Sequence, residues 1–120
     1  MSRIVILCPG RGPYTKATRG TIPADHPFVP RAEALRAEYG LPPPLELDHE
    51  APWKSTLQLR PDNVSPLIWL ATMIDADAAM REHETVAVGG NSMGWYTALA
   101  VAGALDFDDG FRLVQEMALL

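Results

Sequence analysis

The chain has 120 residues, 48% hydrophobic and 21% charged, with a formal net charge of -5. These figures exclude a collagen, a low-complexity tail and a disulfide-stapled mini-protein. The length suits one domain, residues 1–120, able to bury about 60 to 70% of its unfolded surface if it folds alone. Lys and Arg total only 10 and never form a block, so neither nucleic acid nor an anionic membrane is expected as a partner. The single cysteine, Cys8, cannot form an internal disulfide and lies in an apolar run, not among metal-ligand spacings, so no metal is expected and a reducing cytoplasm is the simplest compartment. The N-terminal apolar run is too short for a signal peptide, and no run approaches the length of a membrane span.

Proline divides the chain: all 11 lie between Pro9 and Pro66. Because proline removes a backbone donor and disfavours helix in the residue before it, the front should be mostly loop and the back free to run as helix and strand. Ile4 to Cys8 is a β-branched apolar run ended by Pro9-Gly10, which predicts a strand buried on both faces of a parallel sheet. A glycine-rich, basic loop follows from Gly10 to Gly20. Arg31 to Tyr39 predicts a short helix stopped by Gly40, and residues 41–64 carry little further signal beyond the extended Pro42-Pro43-Pro44.

Ser65-Pro66 has the form of an N-cap followed by proline at the first helical position. The helix it opens carries Leu67, Leu70, Ile74 and Ala78 on one face and Trp69, Met73, Ala76 and Met80 on the next, so it should pack on more than one side and end near His83. Thr85 to Val88, bounded by Gly89-Gly90, predicts a second buried strand. After a turn at Asn91 to Gly94, Trp95 to Ala104 predicts a nearly uncharged helix with Tyr96, Leu99, Ala100 and Gly103 along one side. Asp106 should cap the last helix, with Asp109 as its capping-box carboxylate and Phe111, Val114 and Ala118 on the apolar face. That helix carries no stop signal before Leu120, and the expectation is a chain cut from a longer one, poorly soluble and without turnover by itself.

Gly90-Asn91-Ser92-Met93-Gly94 fits Gly-x-Ser-x-Gly between a predicted strand and a predicted helix. Chance gives the bare pattern in a chain of this length roughly 4% of the time, and the strand-turn-helix setting reduces that several-fold. Small residues around a serine permit a sharp strained turn that lifts its oxygen clear of the sheet at a helix N-terminus. There the Met93 N–H and the positive end of the helix dipole can face a developing oxyanion. A serine hydroxyl needs a general base. His26, His49 and His83 each have the local setting of a solvated surface histidine, so none is assigned that role.

Ser92-Met93-Gly94-x-Tyr96-x-Ala98-Leu99, then Ala102-Gly103-Ala104-Leu105-Asp106-Phe107-x-Asp109, then Arg112-Leu113-Val114, resembles the nucleophile region of the malonyl-CoA:acyl-carrier-protein transacylase family. That family's run is Gly-His-Ser-Leu-Gly-Glu-Tyr-Ser-Ala-Leu, followed by Ala-Gly-Ala-Leu-Ser/Asp-Phe-Glu-Asp and Arg-Leu-Val. Ile6-Leu7-Cys8-Pro9-Gly10-Arg11-Gly12 is similar to its opening strand and Pro-Gly-Gln-Gly loop. The resemblance implies an α/β fold: part of an α/β-hydrolase-like core with parallel strands and packed helices, lacking the C-terminal part and the ferredoxin-like subdomain of the acyltransferase fold. It implies that Ser92 takes an acyl group from acyl-CoA and passes it to the phosphopantetheine thiol of an acyl carrier protein, with no bound cofactor. The oxyanion would be held by the backbone N–H groups of Met93 and Arg11. Gly90, Asn91 and Gly94 would complete the elbow, and the histidine base would lie beyond residue 120.

Four positions depart from the family pattern. Arg11 replaces its glutamine, Asn91 its histidine before the serine, and Trp95 its glutamate. Met117 stands where the family has the arginine that pairs with a malonyl carboxylate. Without that bidentate partner a buried substrate carboxylate is costly, so acyl transfer is expected and malonyl selectivity is not. Arg11 is the alternative source of a positive charge. Two other functions fit the same elbow: a serine hydrolase or thioesterase with water as acceptor, and a catalytically incomplete module that binds a carrier protein.

Overall fold

A computed structural model describes residues 1–50 and 52–120. The first strand, β1, is Arg3–Cys8. Helix α1 (Phe28–Glu38), a π-helical turn at Glu46–Glu50, the one-turn helix α2 (Ser55–Gln58) and the long helix α3 (Pro61–Glu82) lead to β2 (Glu84–Gly90), and α4 (Gly94–Val101) and α5 (Phe107–Leu119) follow. Among the described residues β1 and β2 form a two-stranded parallel sheet. Ile4 pairs with Thr85 and Val5 with Ala87, so Val86 is an extra residue bulged out of the register. The loop-rich front, the two parallel strands and the packed helices agree with the architecture expected from the sequence.

The sheet is covered on one face only. Cys8 is buried with Ala76, Ala98 and Val101, and Ile6 and Val88 pack against them, so α3 and α4 lie beneath the strands. Val5 and Leu7 point the other way and are 57% and 77% exposed. Burial of the Ile4–Cys8 run on both faces is therefore not observed: an apolar run fixes a strand, but its second face needs a second layer, which these residues do not provide.

The larger core lies between α1, α3 and α5. Trp69 is fully buried and meets Phe107 and Phe111 edge-on, with ring centroids 4.7 Å and 5.6 Å apart. Gly110 lets α5 approach closely, since a Cβ there would stand 2.8 Å from the Ala100 Cβ. Asp106 caps α5 as expected, its Oδ1 accepting the Asp109 N–H at 2.8 Å.

Three helices differ from their predicted limits. Helix α1 begins at Phe28, before the expected Arg31, and Pro30 is accommodated in its first turn, where no intrahelical N–H is needed. Helix α4 ends at Val101 and turns over Gly103, whose φ is 81°; its buried side is Thr97, Ala98, Ala100 and Val101, while Leu99 is exposed. Helix α3 starts at Pro61, so Ser65-Pro66 is not its start and Pro66 lies inside it. Proline at that position deprives the Asp62 carbonyl of its helical donor. Two side chains replace that donor: Arg36 Nη1 reaches the Asp62 oxygen at 2.7 Å and Gln115 Nε2 at 2.9 Å.

Candidate active site

The Gly90–Gly94 run forms a sharp turn between the end of β2 and the start of α4. Ser92 has φ of 56°, and it is the one non-glycine residue with positive φ among the described residues. A left-handed serine costs about 1–2 kcal/mol, so the surroundings must enforce it. They do so by close backbone approach. A Cβ on Gly90 would collide with the Gly94 backbone, and a Cβ on Gly94 with the Cys8 carbonyl. Asn91 N–H donates to the Cys8 carbonyl at 3.0 Å, so the turn is stitched to the end of β1. Gly94 N–H then donates to the Asn91 oxygen at 3.0 Å and Trp95 N–H to the Ser92 oxygen at 3.1 Å, which opens α4.

The loop after β1 lies against this elbow. A Cβ on Gly10 would be 3.2 Å from the Asn91 oxygen and 3.5 Å from the Ser92 Cβ. Next to it Arg11 lines one side of a cleft of about 370 Å³ whose other walls carry Ser92, Met93 and Tyr96 from the elbow and α4. Helix α5 contributes Val114, Met117 and Ala118, and α3 contributes Ser65. The backbone N–H groups of Met93 and Arg11 make no hydrogen bond within the described residues, so both remain available to a ligand. Arg11 has no carboxylate partner there either, and no acidic side chain lines the cleft.

Arg11, Ser92, Met93 and Met117, which the sequence put forward separately, thus come together around one cleft, with Gly90, Asn91 and Gly94 shaping the turn behind it. Ser65, Tyr96, Val114 and Ala118 were not foreseen as lining residues. The α5 trio was legible in principle, because positions 114, 117 and 118 share a helical face. Ser65 was obscured by its reading as an N-cap.

None of the three histidines lines the cleft. His26 Nδ1 accepts the Phe28 N–H at 3.0 Å, and its ring packs on Phe28. His49 is exposed as expected, but it is not free: its Nε2 lies 2.6 Å from the Ile22 carbonyl and 3.1 Å from the buried Asp48. His83 precedes β2 and Ser92 follows it, so a seven-residue strand, about 20 Å, separates them. Among the described residues no cluster of His, Cys, Asp and Glu could hold a metal ion, and no helix is long and apolar enough to cross a membrane.

A parallel sheet backed by helices, with a strained serine at a strand-to-helix turn facing a cleft, is an α/β arrangement that resembles part of a solved acyltransferase fold. The chain superposes on the crystal structure of an acyl-carrier-protein S-malonyltransferase from Burkholderia pseudomallei 1710b with a TM-score of 0.73 and 24% identity, covering 99% of this chain and 38% of that one. In sequence it is 40% identical over 67 residues to the spectinabilin polyketide synthase system protein NorA' of Streptomyces orinoci, a match spanning 54% of this chain and 2% of that protein. The chain therefore spans well under half the length of either. No family model matches it.

Proposed function

We propose that this chain is the front part of an acyltransferase domain of the malonyl-CoA:acyl-carrier-protein transacylase type, in which Ser92 carries the acyl group between acyl-CoA and an acyl carrier protein. The observation that carries this reading is the left-handed Ser92 at the mouth of the cleft, flanked by two unpaired backbone N–H groups. The fold likeness to a malonyltransferase and the partial match to a polyketide synthase protein support the same reading.

In the first half-reaction the Ser92 Oγ attacks the thioester carbonyl carbon. The new C–O bond forms, the carbonyl electrons move onto oxygen, and the Met93 and Arg11 N–H groups receive the oxyanion. Collapse of this intermediate breaks the C–S bond. The serine proton passes through a general base to the departing CoA sulfur, and none of the three histidines present can be that base from its observed position. The carrier's phosphopantetheine thiol then repeats the sequence in reverse, losing its proton to the base and regenerating the serine. A covalent ester suits a thioester donor, because one difficult transfer becomes two easier ones.

The acyl group would lie along Val114, Met117 and Ala118, a wall without charge. No resident cofactor takes part, and the expected setting is the cytoplasm. Incubating the full-length protein with acyl-CoA and a phosphopantetheinylated carrier tests this reading. Acyl transfer to the carrier that Ser92→Ala abolishes is the expected result. Release of free acid with none on the carrier would instead identify a hydrolase.

A further inference from the structure

The proposed oxyanion site takes one donor, Arg11, from the irregular segment between β1 and α1, which has no helix or strand to hold it. Such segments are mobile unless pinned. A donor aimed at a transition state must be fixed to fractions of an ångström, since misplacement by about 1 Å can cost a hundredfold in rate.

The pin is a single carboxylate. Asp48 is fully buried in the π-helical turn Glu46–Glu50. Its Oδ1 accepts the Tyr14 hydroxyl at 2.7 Å and the Gly20 N–H at 2.9 Å, while Oδ2 accepts the Ile22 N–H at 3.1 Å. Three donors of one loop converge on one ionised acceptor, and hydrogen bonds to a charged acceptor are roughly twice as strong as neutral ones. His49 adds a further tie from the same turn, its Nε2 donating to the Ile22 carbonyl at 2.6 Å. On the other side Gly10 is seated against the elbow itself. Arg11, Gly12 and Pro13 are therefore a short bridge between two fixed points, and the Pro13 ring removes one of the few torsions by which it could relax.

Resting on the acyl-enzyme reading above, we infer that Asp48 and Tyr14 are positioning residues: the Tyr14–Asp48 hydrogen bond holds the Arg11 N–H at the oxyanion position. Neither side chain lines the cleft, so both act through the loop. The π-helical turn presents Asp48 inward, where the donors of the loop reach it.

Tyr14→Phe is the test, because it removes only the hydroxyl, keeps the ring beside Trp53, and leaves Asp48 its two backbone donors. Single-turnover acylation of Ser92 in the full-length protein should slow about ten- to a hundredfold. The acyl-CoA concentration giving half the maximal rate should stay within about twofold, because ground-state binding is untouched. Hydrogen exchange should accelerate at the Gly20 and Ile22 amides, which donate to Asp48, and not in α3 or α5. Asp48→Asn, which keeps one acceptor oxygen, should give the same pattern more strongly. Acylation at the unaltered rate in Tyr14→Phe overturns the positioning role alone. A general rise in exchange across the helices, with half-saturation and rate changing together, also overturns it, by assigning Tyr14 to stability only. If the unaltered protein forms no acyl-enzyme with any donor, the proposed function fails and this role with it.

Discussion

Replacing Arg36 by methionine removes the centre of the polar core. Arg36 is fully buried, and burial pushes its guanidinium down to about 10. Its bonds go to neutral acceptors: Nε to the Pro42 carbonyl at 2.8 Å, Nη1 to the Asp62 carbonyl at 2.7 Å and to Gln115 Oε1 at 2.9 Å, and Nη2 to Asn63 Oδ1 at 2.9 Å. Methionine fills similar space but orphans three acceptors, since only the Asp62 carbonyl keeps a second donor in Gln115. At about 1–3 kcal/mol for each unsatisfied group the loss is roughly 3–9 kcal/mol. Relief from burying an ion that has no direct carboxylate partner returns several kcal/mol. The net expectation is a loss of about 2–4 kcal/mol. Urea unfolding of the full-length protein measures it, and with an m-value near 3 kcal/mol/M the midpoint should fall by about 1 M. Arg36→Lys should lose nearly as much, because an ammonium cannot reach acceptors on the α1–α2 connection, α3 and α5 together. Methionine as stable as arginine would refute the reasoning, as would full rescue by lysine, which would make charge rather than the fork the source of stability.

Gly94→Ala should dislodge the elbow from the end of β1, because its Cβ would meet the Cys8 and Pro9 backbone, which cannot rotate away. A loss of at least about 1–3 kcal/mol together with loss of Ser92 acylation is expected, by unfolding and intact mass respectively. Burial, then the bond to Asp48 and its charge, raise the Tyr14 phenol well above its usual 10.0. Its folded pKa exceeds the unfolded one, so its contribution is complete below pH 10 and declines as pH rises above it. Thermal unfolding at stepped pH should show the wild type losing its advantage over Tyr14→Phe in that alkaline range, and a constant gap would contradict the assignment.

What the sequence made legible was local. Gly-x-Ser-x-Gly between two periodic segments located the elbow, and Asp106 located the start of α5, because each signal and its structural cause lie within a few residues. The features that escaped depend on distant partners. Pro66 is a helix breaker by itself; it is tolerated because Arg36 and Gln115, far away in sequence, take over the Asp62 carbonyl. The turn at Glu46–Glu50 has no periodicity to announce it, and its purpose appears only when Tyr14, Gly20 and Ile22 are seen to converge on Asp48. The same applies to the cleft. Met117 and Arg11 were singled out by resemblance, but Ser65 and Tyr96 join them only through the crossing of α3 and α4. The exposed Val5 and Leu7 illustrate the converse, since an apolar run reports a preference for burial and not the presence of a cover.

The central claim is that Ser92 forms a covalent ester with an acyl group delivered as a thioester. Rapid quenching of the full-length protein with a panel of acyl-CoAs, followed by peptide mass mapping, tests it most directly. The account predicts an added acyl mass on the peptide containing Ser92, absent from Ser92→Ala and discharged by a carrier thiol. An unmodified Ser92 with every donor, or an adduct on another residue that Ser92→Ala leaves intact, would contradict it.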